Sequence, residues 1–213
     1  MYIPQHFQED RPKVLAKAIQ SIRFGALVTA SADSLQISHV PLLLKISDDG
    51  EWDLESHVSR AINHWKLAQS MAHSVAIFQG PQSYISPTWY PTKRETGKVV
   101  PTWNYIAIHL HGPIEAIEDE TWLLNHVNEL TDIHESTSKS PWSVSDAPPE
   151  YIAGLARAIV GIRLHVEKIE GSWKMNQNKP EADRWGVIHG LETISESSNV
   201  ATVMRDLENG RQG

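Results

Sequence analysis

The order of the periodic segments is what most constrains this chain. An amphipathic helix at 11–22, with Leu15, Ala18, Ile19 and Ile22 at helical spacing and Asp10 as N-cap, precedes strands at 24–30, 36–46 and 51–58. The Asp48-Asp49-Gly50 turn joins the last two strands. A short helix at 60–70 and a strand at 73–79 follow, ended by the turn dipeptide Gly80-Pro81. Farther on, Ile106, Ile108 and Leu110 alternate with Tyr105, Ala107, His109 and His111, the pattern of a strand with both faces suited to burial. Helices at 119–134 and 151–157, a hairpin from 159 that turns at Glu170-Gly171, and helices at 181–191 and 198–207 complete the order. This is not the regular βαβ alternation of a parallel doubly wound sheet. It predicts an α+β fold, mainly antiparallel, with helices at the ends of a sheet or barrel. No repeat or linker divides the 213 residues, so one domain spanning 1–213 is expected, with the Ser-, Thr- and Pro-rich stretch 135–149 as an internal loop.

Composition removes whole classes of function. Without cysteine there are no disulfides, thiolate metal sites or cysteine nucleophiles, which leaves histidine and carboxylates as the protein metal ligands. Nineteen basic against twenty-six acidic residues, a net charge of −7, disfavour the clustered cationic footprint of a direct DNA binder. The acidic residues Glu181, Asp183, Glu192, Glu196, Asp206 and Glu208 of the last two helices, against Arg184 and Arg205, point the same way. The first residues lack a basic region followed by an apolar segment, and no apolar run approaches the roughly 20 residues that span a bilayer. A cytoplasmic protein with no membrane partner is expected.

The common signatures of nucleotide, metalloprotease and hydrolase sites (G-x-G-x-x-G, the P-loop, H-E-x-x-H and G-x-S-x-G) are missing. Instead, Tyr84, Trp89, Tyr90, Trp103 and Tyr105 cluster among Pro87, Pro91 and Pro101 and the small polar residues Ser86, Thr88, Thr102 and Asn104. Polar-tipped rings beside fixed kinks suit a flat conjugated ligand, and equally suit interface packing. At the passage from strand to helix, Ser59 and Arg60 form a candidate phosphate cup; an N-cap serine and a surface arginine are the plainer reading. Lys174, Gln177 and Asn178 are candidate ligand contacts or ordinary hairpin residues. His109 and His111 share one strand face, but no third metal ligand is specified, so hydrogen-bonded core or interface histidines account for them better. His39 and His64 are better placed beside a ligand than as metal donors.

Nine blocks, Ile159-Val160-Gly161 among them, resemble the PaiB family, described as FMN-binding negative transcriptional regulators. They include Met1-Tyr2-Ile3-Pro4, His39-Val40-Pro41, Ser59-Arg60-Ala61 with His64-Trp65, and Ala76-Ile77-Phe78-Gln79-Gly80-Pro81. Tyr84-Ile85-Ser86-Pro87-Thr88-Trp89-Tyr90, Val100-Pro101-Thr102-Trp103-Asn104-Tyr105, His109-Leu110-His111-Gly112 and Gly171-Ser172-Trp173-Lys174-Met175-Asn176-Gln177-Asn178 extend the likeness over nearly the whole chain. The chain departs from the family at Ala61-Ile62-Asn63, where Ala-Asn-Pro is usual, at Gln82, where His is usual, and at Asn176, where Ser is common.

The resemblance implies a split β-barrel with peripheral helices, similar to the pyridoxamine phosphate oxidase and flavin reductase group. It also implies a homodimer with flavin mononucleotide (FMN) at the subunit interface. On that basis Ser59 and Arg60 hold the phosphate; Ser38, His39, Thr102 and Asn104 border the ring; His64 and Ser86 complete the surround; and Lys174 and Gln177 reach across from the partner subunit. The family's name implies negative transcriptional regulation, which the acidity assigns to indirect or partner-mediated action. A flavin-dependent oxidoreductase or haem-handling enzyme is the alternative, with haem as alternative ligand. No acid, base or nucleophile specifies a reaction.

Overall fold

The computed structural model describes residues 1–31, 34–68, 72–194 and 198–210. Its strands are β1 (Phe24–Ala30), β2 (Leu35–Pro41), β3 (Leu43–Ile46), β4 (Trp52–Ser59), β5 (His73–Ile85), β6 (Thr102–Ile117), β7 (Ile159–His165) and β8 (Lys168–Lys174). Its helices are α1 (Pro12–Ile22), α2 (His64–Ala68), α3 (Thr92–Thr96), α4 (Glu120–Glu135), α5 (Pro149–Ala156), α6 (Glu181–Glu192) and α7 (Ser198–Asn209). The fold is α+β, and the β1–β2, β1–β5, β3–β4, β4–β7 and β6–β7 ladders are all antiparallel.

Four expectations shift, each for a local reason. The strand at 36–46 breaks into β2 and β3 because Pro41 has no N–H and the Leu42 N–H turns to the Arg23 carbonyl at 2.7 Å. Gly80-Pro81 does not end β5, which runs on to Ile85. Its ladder with β1 covers only Ser74 to Ile77, so Pro81 withholds no hydrogen bond there. Glu170-Gly171 lies inside β8 and is not a turn. Gly171 is needed for close approach, since a β-carbon would stand 2.6 Å from both the Glu9 carbonyl oxygen and the Leu15 side chain. The helix at 60–70 contracts to α2, and its expected end at Ser70 lies outside the described residues, as does Glu196.

Contacts divide the chain into two units, one formed by Met1–Ala18, Gln79–Ile108 and Glu170–Gly213, the other by Ile19–Phe78 and His109–Ile169. The sheet order is β2-β1-β5-β6-β7-β4-β3, of which β1 to β4, β7, β5 up to Phe78 and β6 from His109 belong to the second unit. Leu27, Leu54, Ile114, Ile162 and Leu164 fill its core. Trp122 of α4 lies over Gly161, where a β-carbon would meet the indole at 2.2 Å. Phe24 on β1, and Leu35 and Ile37 on the edge strand β2, remain 57%, 60% and 54% exposed. Stretch 135–149 carries a 3-10 turn, Val144–Asp146, closed by a Ser143–Asp146 capping box.

In the first unit β8 pairs with β6, and Met175, Val187, Ile188 and Leu191 form the core beside α7. The N-terminal amine meets Glu170 at 2.8 Å. The nearly buried pair Arg184–Glu208, bidentate at 2.7 Å, ties α6 to α7. Among the described residues no helix is long and apolar enough to cross a membrane.

Candidate functional site

Five of the ten sequence-derived site residues, Ser38, His39, Ser59, Arg60 and His64, lie in the second unit. His64 opens α2 and is buried. Its Nδ1 is 2.8 Å from the Ser38 hydroxyl on β2, and its Nε2 is 2.8 Å from the Thr29 hydroxyl on β1. Thr29 in turn meets Ser74 of β5 at 2.7 Å, and Ser74 donates to the Ala72 carbonyl at 3.1 Å. Burial holds the His64 pKa below its ordinary value, so the ring is neutral near pH 7. His39, exposed on the other face of β2, stacks on Phe24 with ring centroids 6.5 Å apart.

Ser59 ends β4, and its hydroxyl accepts the Ala61 N–H at 3.2 Å. Arg60 follows with its guanidinium tied to three acceptors: the Arg157 carbonyl at 3.0 Å, the Ile159 carbonyl at 3.3 Å and the Glu118 carboxylate at 2.5 Å. It also lies 5.6 Å from the Trp65 ring centroid, and the Trp65 indole N–H donates to the Arg60 carbonyl. A cleft of about 300 Å³ opens here, lined by Arg60, Glu118, Glu120, Leu123, Ala156 and Arg157. A guanidinium carries five N–H donors, so two remain beyond those three contacts.

Ser86, Thr102, Asn104, Lys174 and Gln177 lie in the first unit and there serve its own structure. Ser86 caps the 3-10 turn Pro87–Trp89. The Lys174 ammonium donates to the Thr102 hydroxyl at 2.6 Å and the Trp103 carbonyl at 2.8 Å, and sits 5.8 Å from the Tyr105 ring centroid. Burial lowers its pKa. Asn104 is fully buried, donating to the Met204 sulfur at 3.3 Å, while its Oδ1 has no partner. Gln177 clamps its own turn, accepting the Met175 N–H at 2.7 Å and donating to the Trp173 carbonyl.

The aromatic block divides. Tyr90 is buried and accepts a hydrogen bond from Asn176 at 3.1 Å, and Trp89 packs on α6, so these two are structural. Tyr84 and Trp103 stay about half exposed and meet edge to face at 6.2 Å. Trp103 and Tyr105 line a cleft of about 290 Å³ with Gln79, Gly80, Gln82, Ile106 and Ala107. His109 and His111 are half-buried, their rings 6.1 Å apart.

Sequence reading missed Thr29 and Ser74, the two groups that orient His64, and Glu118, the counter-ion of Arg60. It also missed His57 and His126, whose rings meet at 3.2 Å on β4 and α4. Burial, with the neighbouring His57 and Lys45 charges, lowers the His126 pKa to about 4. These partners are tens of residues apart, and no local pattern announces them.

The comparisons with known proteins fit this geometry. In the solved structure of the FAD and heme binding protein from Mycobacterium smegmatis, 84% of this chain superposes on 78% of that one with a TM-score of 0.59 at 10% identity. Fold and strand order together place the chain in the split β-barrel fold class. Residues 1–168 match the family described as "Putative FMN-binding domain", and the chain belongs to that family. It is 29% identical to protease synthase and sporulation protein PAI 2 of Bacillus subtilis, with 97% of each chain covered. An uncharacterized protein of Aspergillus fumigatus is 32% identical over 91% of this chain and 92% of its own. The PaiB resemblance read from the sequence blocks therefore holds.

At this end of the second unit two Arg60 N–H groups and the Ser59 hydroxyl proton are donors of the kind a phosphate accepts, while Glu118 already neutralises the guanidinium.

Proposed function

We propose that this protein is an FMN-binding homodimer that acts as a negative regulator through partners, not by holding operator DNA. The observation that carries the flavin reading is the Arg60–Glu118 contact at the mouth of a cleft, where a carboxylate stands at the position suited to a phosphate. Ser59 and Arg60 bind the phosphate, and Ser38 and His39 border the ring; Thr102, Asn104 and Lys174 are assigned a supporting role through the first unit's stability. Bound flavin supplies one- and two-electron redox chemistry. The chain supplies binding, orientation and charge.

Phe24 on β1 and Leu35 and Ile37 on the edge strand β2 leave exposed apolar surface, and a second copy of this chain covers it in this reading. The regulatory reading draws support from the similarity to the Bacillus PAI 2 protein and from the net charge of −7, which favours a protein partner over a phosphate backbone. Titrating the protein with FMN and with riboflavin tests the flavin assignment, because only FMN carries the phosphate. Tight binding of a promoter fragment over random DNA would overturn the partner-mediated part. NADPH consumption dependent on added FMN would favour a flavin oxidoreductase instead.

A further inference from the structure

The donation from Ser74 to the Ala72 carbonyl sets the direction of the hydrogen-bond chain through His64. Ser74 has a single hydroxyl proton, and its contact with the Ala72 carbonyl, an acceptor only, uses that proton. Ser74 must therefore accept from Thr29 at 2.7 Å. Thr29, its own proton spent, must accept from His64, so the proton of the neutral imidazole sits on Nε2. That leaves Nδ1 as a bare lone pair, and the Ser38 hydroxyl must donate to it at 2.8 Å. Thr29, His64 and Ser74 are buried at 0%, 1% and 4% exposure, so water does not scramble the order. Burial also lowers the His64 pKa, which keeps the ring in the neutral form the chain needs.

Ser38 is half-buried, and with its proton committed inward its oxygen has only lone pairs to offer outward. A serine held this way rejects acceptors and pairs with donors. We propose that Ser38, oriented by His64, Thr29 and Ser74, is an acceptor-only contact that selects an N–H donor on the ligand ring, the imide N–H of an isoalloxazine. This assignment rests on the flavin reading above. His64, Thr29 and Ser74 are positioning residues within it.

Two measurements test it. Nitrogen-15 NMR of the ligand-free protein with labelled histidine reads the tautomer directly: a protonated Nε2 and an unprotonated Nδ1 are expected for His64, and the reverse assignment overturns the proposal. In binding titrations, FMN is expected to bind at least about tenfold more tightly than its N3-methyl derivative, the loss typical of one hydrogen bond. Ser38→Ala should close that gap by weakening FMN alone, whereas a purely steric preference would survive the substitution. Thr29→Val, nearly the same shape, should shift the tautomer and shrink the gap without unfolding the protein. Equal binding of the two flavins by the unaltered protein would overturn this inference while leaving the flavin reading intact. Failure to bind FMN at all would overturn both.

Discussion

Trp89 lies directly over Gly190 of α6, where a β-carbon would stand 2.4 to 2.6 Å from three atoms of the indole. Gly186, one turn earlier, admits the Trp89 backbone in the same way, its β-carbon position being 2.2 Å from the Trp89 carbonyl oxygen. The two glycines make a seat in the helix for a ring that the sequence alone assigns equally well to a ligand. Gly190→Ala should therefore destabilise the protein by about 1–3 kcal/mol, the usual cost of overpacking, despite the better helix propensity of alanine. Urea unfolding followed by tryptophan fluorescence measures it; an unchanged midpoint would contradict the packing.

Tyr90 offers a second check on the same segment. Its hydroxyl accepts from Asn176, a buried residue held at φ +63°. Tyr90→Phe leaves that amide N–H without an acceptor, and a loss of about 1–3 kcal/mol is expected in the same unfolding experiment.

Acid should unfold the protein partly through His126. Its folded pKa, about 4, is depressed from the ordinary 6.5, so the unfolded state binds the proton more readily. The resulting stability is complete above pH 6.5 and is lost as pH falls towards 4, by up to about 3 kcal/mol. The ring stacks on Trp122 at 5.1 Å and meets His57, whose pKa burial also lowers. His126→Phe should flatten the dependence of stability on pH between 6.5 and 4, which denaturant titrations at stepped pH would reveal.

Dimerisation is expected to depend on the exposed apolar surface of β1 and β2. Ile37→Glu places a charge in it without touching the core, since Ile37 is 54% exposed. Sedimentation velocity should show a dimer for the unaltered chain and a monomer of unchanged circular dichroism for the variant; a monomer in both cases would refute a second copy as the cover.

Much of the fold was legible because period and turn chemistry are local. The alternation of Ile106, Ile108 and Leu110, all buried, identified β6, and the helix expected at 119–134 is α4, which the structure caps with Asp119. Gly80-Pro81 and Glu170-Gly171 misled because glycine and proline also serve where backbones approach closely or a ladder has ended, and sequence does not distinguish those uses from turns. The site was half legible. Ser38 and His64 stood out as ligand-side residues, but Thr29 and Ser74, which set the direction of their hydrogen bond, lie 35 residues before and 10 after His64 on other strands. Arg60 was legible as a cation, and its engagement by Glu118 was not, since that pairing exists only in three dimensions.

The phosphate assignment is tested most directly by comparing FMN with riboflavin in fluorescence titrations of the unaltered protein, Arg60→Ala and Glu118→Gln. FMN should bind in the micromolar range or tighter, on the order of ordinary cofactor affinities, and more tightly than riboflavin. Arg60→Ala should cost at least about tenfold for FMN and little for riboflavin, while Glu118→Gln, which removes the competing carboxylate charge, should raise FMN affinity several-fold. No binding of FMN at tens of micromolar, or equal affinity for both flavins in all three proteins, would contradict it.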